Sequence, residues 1–133
     1  LVPDEFETLA DFGVSKGIDG LVLTNTTVSR PKQNGVYGEA GGLSGRPLSD
    51  LSDAAIRTVF RRVGPKLPII GVGGISTGQD ILRKMRLGAS LLQVYTGFVY
   101  GGPGFPSHVL RDFRRLLDDL GVSEISGLTG SDV

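Results

Sequence analysis

Three short apolar runs, Ile18 to Leu23, Pro68 to Val72 and Leu91 to Tyr95, stand out from a chain whose other apolar residues recur at helical spacing. Each run is too short for a helix and is bounded by Gly or Pro, so it is expected to be a strand buried on both faces. Leu51, Ala55, Val59 and Val63 repeat every four residues and predict a helix that Gly64-Pro65 ends. Ile81, Leu82 and Met85 predict a shorter one, capped by Ser76 or Thr77 and closed by Gly88. Val109, Phe113, Leu116, Leu117 and Leu120 make the stripe of a last helix. At the amino end, Phe6, Leu9, Ala10 and Gly13 share one face, Asp4 and Glu7 have capping-box spacing, and Gly17 suits the helix end.

Strand and helix therefore alternate, and such alternation implies parallel pairing. The polar loop chemistry of a parallel sheet gathers at the carboxyl ends of its strands. Three glycine- and threonine-rich segments sit there: Thr24-Asn25-Thr26-Thr27, Gly71-Val72-Gly73-Gly74-Ile75 and Tyr95-Thr96-Gly97. Three strands and four helices do not close a barrel, which takes eight strands and typically ~250 residues. The expected fold class is α/β, the C-terminal part of a (β/α)8 TIM barrel. Its open edge would expose amides and apolar side chains, so the chain alone is expected to be aggregation-prone or only partly folded.

Composition narrows the function. The 133 residues suffice for about one domain. Fourteen basic and 14 acidic residues cancel, so no polyanion-binding surface is implied and nucleic acid is not an expected partner. There is no cysteine for a disulfide framework or thiolate metal site. No apolar run approaches the ~20 residues that cross a bilayer, and no signal peptide is read. The 21 glycines, roughly twice the average usage of ~7%, cluster after strands, where backbone turns sharply or approaches a ligand.

Gly73-Gly74 and Tyr95-Thr96-Gly97, after consecutive strands, match the place where barrels commonly hold phosphate. Glycine lets N–H groups converge on an anion, a helix starting at Ser76 or Thr77 would add its positive dipole end, and the Thr96 hydroxyl would add a bond. The competing reading is that these glycines only make tight turns. Thr24 to Thr27 offer an amide and three hydroxyls to a planar ligand with carboxylate or imide edges, or else an Asx or Ser/Thr turn leaving the strand. The Thr27 to Pro47 loop is long enough to be a lid or binding loop. His108, the only histidine, lacks triad partners and reads as a surface or capping residue. The Arg114-Arg115 and Asp118-Asp119 pairs fit i,i+4 ion pairing, and Lys84 and Arg86 read as helix-surface charges.

Four blocks carry a family resemblance: Ile18 to Pro31 (IDGLVLTNTTVSRP), Gly41 to Leu48 (GGLSGRPL), Pro68 to Asp80 (PIIGVGGISTGQD) and Gly88 to Thr96 (GASLLQVYT). In order and spacing they resemble class 2, quinone-linked dihydroorotate dehydrogenase, and the similarity covers nearly everything from Gly17 onward. The resemblance implies an FMN-dependent barrel enzyme of pyrimidine synthesis that oxidises dihydroorotate to orotate and passes electrons to a membrane quinone. By position, Asn25 and Thr26 would contact orotate and Thr24 would lie beside the flavin. Gly45, Gly74, Tyr95 and Thr96 would hold the FMN phosphate and ribityl chain, with Ser44 and Gly73 flanking them. The Tyr95 ring and the Phe98 to Pro103 segment would face the quinone channel, and the Thr27 to Gly45 loop would partly cover the site.

The family's serine base and a flavin-contacting lysine are expected upstream of Leu1, as is the membrane-binding segment, so this chain alone is expected not to turn over. The resemblance implies the mitochondrial inner membrane in a eukaryote or the cytoplasmic membrane in a bacterium. Two alternatives remain open at this point. One is a flavin-free phosphate-handling barrel, such as a sugar-phosphate isomerase or synthase; the other is an inactive truncated or structural chain completing its barrel with a partner.

Overall fold

A computed structural model describes residues 3–29 and 40–133. The first helix, α1 (Pro3–Lys16), opens with proline, whose missing N–H costs nothing in a first turn, followed by Asp4 and Glu5 near the positive end of the helix dipole. Asp4 thus lies inside the helix, and the expected Asp4/Glu7 capping box is not its start. Ala10 is fully buried, and a Cβ on Gly13 would meet Ile18 and Leu67, so this face packs inward while Leu9 stays exposed.

Strands β1 (Leu21–Leu23), β2 (Ile69–Val72) and β3 (Leu91–Gln93) form one parallel sheet in sequential order. Each lies within an expected apolar run. The register aligns Val22 with Ile70 and Ile70 with Leu91, and on the other face Leu23 with Gly71 and Gly71 with Leu92. Among the described residues, only the second row is covered by helices. Leu23 and Ile69 are buried, and a Cβ on Gly71 would touch Ile56, Ala89 and Leu92. On the first row Val22 is 57% and Leu91 63% exposed. The expectation of burial on both faces is therefore corrected: the described residues supply helices to one face, and none of them covers the other.

Helix α2 (Ser49–Val63) follows a 3-10 turn, Arg46–Leu48. Its buried stripe is Ser52, Ala55, Ile56, Val59 and Val63, whereas Leu51, expected on that stripe, is half exposed. With α1 and the sheet, α2 encloses Leu23, Ile56, Val59, Leu67 and Ile69. Arg62 makes a bidentate pair with Asp11 across the two helices, at 2.8 and 2.7 Å, in solvent. A second core joins α3 (Gly78–Arg86) to α5 (Phe105–Asp119) through Ile81, Leu82, Met85, Phe105, Val109 and Phe113. Leu92 touches both cores.

Thr77 is the cap of α3, with a reciprocal box to Asp80, and Gly88 follows its end at φ 120°. The carboxyl-terminal residues fold back on this helix. Gly130 and Asp132 donate their amides to the Met85 and Arg86 carbonyls at 3.0 Å, and Leu128 is buried beside them. Four helices had been expected, and a further short one, α4 (Thr96–Gly101), makes five among the described residues. Leu120, expected on the stripe of the last helix, lies just past the end of α5 and is exposed, and no ion pair joins Arg114 or Arg115 to Asp118 or Asp119 among the described residues.

Candidate functional site

The carboxyl ends of the three strands open into one cavity of about 980 Å³, at the upper end of the range usual for small-molecule sites. Its wall includes all nine residues singled out from the sequence. Thr24, Asn25 and Thr26 come from the end of β1, Ser44 and Gly45 from the long loop, Gly73 and Gly74 from the end of β2, and Tyr95 and Thr96 from the β3–α4 junction. Arg46, which had not been singled out, also lines it. Residues 30–39, about half of the expected lid, lie outside the described residues.

The β1 end is held by backbone. Thr24 N–H donates to the Val72 carbonyl at 3.1 Å, and the Thr26 amide donates to Asn25 Oδ1 at 2.7 Å. The second bond joins adjacent residues and leaves the Asn25 Nδ2 hydrogens for another acceptor; the Ser/Thr turn weighed from the sequence is at Thr27, whose Oγ1 accepts from the Ser29 amide at 3.1 Å. Thr24 Oγ1 is buried and has no hydrogen-bond partner. Such a group is costly unless a ligand or water meets it. Thr27 and Leu43 exchange both backbone bonds, at 3.1 and 2.8 Å, so the loop returns beside its start. Thr96 Oγ1 donates to Ser44 Oγ at 2.9 Å, and a Cβ on Gly45 would stand 3.0 Å from Thr96 Cγ2. The returning loop is thereby seated on the β3–α4 junction.

The turn after β2 has no room for side chains. Gly74, at φ 73°, would place a Cβ 2.5 Å from Ser49 Cα, and Gly73, at φ 114°, would place one 2.9 Å from Leu48. Left-handed backbone and close packing both require glycine here. A hydrogen-bonded chain runs beneath the turn. Ser52 Oγ donates to the Val72 carbonyl at 2.6 Å and accepts from Lys84 Nζ at 3.0 Å, and Lys84 also donates to Asp53 at 2.6 Å. Arg83 bridges Asp53, Asp80 and Ser49 Oγ. Asp80 Oδ2 accepts from the Ser76 amide, the Thr77 amide and the Thr77 hydroxyl.

Two expectations change with this network. Lys84 is fully buried, not a surface charge. Burial pulls its pKa down, and its hydrogen bond to Asp53 partly offsets that fall. The start of α3 is also not an open anion site. Its Ser76 and Thr77 amides are taken by Asp80, and the Gly78 amide by the Asp112 carboxylate from α5 at 2.8 Å. Partial burial raises the Asp80 pKa, but the bonds from Ser76 and Thr77 and the nearby Arg83 outweigh it and leave the carboxyl below its ordinary 3.8. Pattern could have flagged Lys84, since 81, 84, 85 and 88 follow helical spacing and the position belongs to the apolar face. His108 lies exposed on α5, outside the cavity wall.

Comparison with known proteins agrees with this architecture. A family model described as dihydroorotate dehydrogenase matches residues 3–117. The dihydroorotate dehydrogenase (quinone) of Myxococcus xanthus is 42% identical over 132 residues, which cover 99% of this chain and 36% of that protein. The mitochondrial dihydroorotate dehydrogenase (quinone) of Mus musculus is 44% identical over 134 residues, or 99% of this chain and 34% of that one. The crystal structure of DHODH from Eimeria tenella in complex with ferulenol superposes with a TM-score of 0.93 at 35% identity, covering 99% of this chain and 36% of its own. This chain thus spans about a third of the length of the relatives it matches. Its three strands and flanking helices are a portion of the TIM barrel that those structures share, and the chain belongs to the dihydroorotate dehydrogenase family.

Proposed function

We propose that this chain forms much of the FMN and substrate site of a quinone-linked dihydroorotate dehydrogenase, which oxidises (S)-dihydroorotate to orotate in pyrimidine synthesis. The observation that carries the reading is the buried, partnerless Thr24 hydroxyl in a cavity ringed by side-chain-free turns at Gly45, Gly73 and Gly74. A flat, polar-edged ring system with a phosphate tail suits such a wall: the glycine turns offer close backbone approach, and Thr24 offers an unused bond. The chemistry FMN supplies when bound is acceptance of a hydride from dihydroorotate and onward delivery of electrons to quinone.

In this reading Thr24 lies against the flavin, while Gly45, Gly74, Tyr95 and Thr96 hold the phosphate and ribityl chain between Ser44 and Gly73. Asn25, its side-chain oxygen already fixed by the Thr26 amide, turns its Nδ2 donors to the orotate carboxylate or imide, and Thr26 adds a hydroxyl. Quinone approaches past Tyr95 and α4, whose Phe98, Val99 and Tyr100 are exposed apolar groups. The proton acceptor is supplied by a part of the enzyme outside these residues. The Ser44 hydroxyl is engaged by Thr96, so the reading assigns it no such role. Turnover is then a property of the complete enzyme, seated on the mitochondrial inner membrane or a bacterial cytoplasmic membrane by a segment outside these residues. Among the described residues no helix is long and apolar enough to cross a bilayer.

The test is purification of the complete enzyme, its absorption spectrum and an FMN titration of the apoprotein. A yellow protein that loses FMN affinity by about tenfold in Thr24→Val, while its apo form melts no lower, is the expected result, since the change removes a bond made only with ligand present. A colourless protein that binds inorganic phosphate but not FMN sinks the flavin reading and favours a flavin-free phosphate-handling barrel.

A further inference from the structure

The two ends of the chain beneath the glycine turn grip the two flanks of one short loop. At one end Ser52 holds the Val72 carbonyl, the last residue of β2. At the other Asp80 holds the Ser76 and Thr77 amides. Only Gly73, Gly74 and Ile75 lie between. From Ser52 the path runs through Lys84, Asp53 and Arg83 to Asp80 without a break. Arg83 also holds Ser49, whose backbone supports Gly74.

We infer that this buried chain positions the Gly73-Gly74 turn for an anionic ligand group, and that Lys84 is its central positioning residue. Lys84 has no solvent-accessible surface, so it reaches no ligand itself and acts through Ser52. The two cations and two carboxylates cancel, so the device supplies fixed geometry and no net attraction. Free N–H groups of a glycine turn bind an anion well only if they already point together, because each residue ordered on binding subtracts from affinity. A left-handed Gly-Gly pair has much backbone freedom to lose. Clamping both flanks removes that freedom before the ligand arrives. The inference rests on the reading that this turn holds the FMN phosphate.

The experiment uses the complete enzyme in its apo form, with Lys84→Met and Ser52→Ala. Ser52→Ala keeps the Lys84–Asp53 pair and removes a single hydroxyl, so it carries the test should Lys84→Met not fold. Two quantities are read: the FMN dissociation constant by fluorescence titration, and amide hydrogen exchange across the molecule. The expected result for Ser52→Ala is a loss of FMN affinity of about fivefold to tenfold, the value of one buried hydrogen bond. Faster exchange is expected at residues 73–77 and not in the body of α2 or α3. Lys84→Met should show the same pattern with a larger loss. FMN affinity within twofold of the wild type in Ser52→Ala overturns the inference, as does exchange that quickens equally throughout both helices. Should the wild-type enzyme bind no FMN, the cofactor reading fails, while faster exchange confined to the turn still supports the positioning role.

Discussion

Asp80 accepts three hydrogen bonds at one carboxylate oxygen and one from Arg83 at the other. All favour the ionised form, and together they outweigh the cost of partial burial. The folded-state pKa lies below the unfolded value, so the stabilisation is fully present above the unfolded value and is lost as pH falls through the folded one. Asp80→Asn removes the linkage. In urea melts of the complete enzyme, the stability gap between wild type and Asp80→Asn should be constant from about pH 5 to 7 and close below about pH 4. A gap that persists at low pH would mean that Asp80 acts by shape alone. At this scale the sequence was partly legible. Seven of the nine cavity residues were legible because glycine- and threonine-rich segments at strand ends carry a direct geometric meaning, whereas Ser44 and Gly45, in the long loop, came only with the family resemblance. Lys84 and Ser52 were missed because a polar residue is assigned to solvent by default, although both occupy apolar helical positions. Two polar residues facing inward on neighbouring helices imply that they satisfy each other.

Between elements, α3 packs closely against α5. A Cβ on Gly78 would stand 2.3 Å from the Phe113 backbone nitrogen, and backbone cannot rotate aside as a side chain can. The same glycine donates its amide to Asp112. Gly78→Ala should therefore push the helices apart and destabilise the enzyme by about 2 kcal/mol, as overpacking typically does. The check is a fall in urea midpoint with an unchanged m-value. The existence of the four longer helices was readable, because Ala55, Val59 and Val63, or Val109 and Phe113, keep a 3.6-residue period. Ends and faces were less so. Leu51 lost its place on the α2 stripe to Ser52, and Asp4 was taken for a cap when Pro3 already begins the helix. Helix α4 was missed because six residues hold too few periodic positions to register.

For the whole molecule, the governing feature is the uncovered row Val22, Ile70 and Leu91. Apolar runs bounded by glycine or proline correctly announced parallel strands, but strand sequence cannot say which polypeptide segment covers each face. Covering was assumed on both sides, and the described residues supply one. The isolated 133-residue chain should bind an apolar dye such as ANS and associate at micromolar concentration. A soluble monomer with a cooperative melt and no dye binding would refute this. The same uncovered row adjoins the cavity, whose floor includes Val72 and Gln93 from the very strands that are bare. A ligand in the cavity and the strands that close the barrel therefore address one continuous surface. Mixing this chain with a separately made polypeptide carrying the other strands should restore binding that neither piece has, and FMN should drive the two together in proportion to its concentration above its dissociation constant. On the proposed reading the barrel is in that sense divisible, and the flavin would act as the bolt between its pieces.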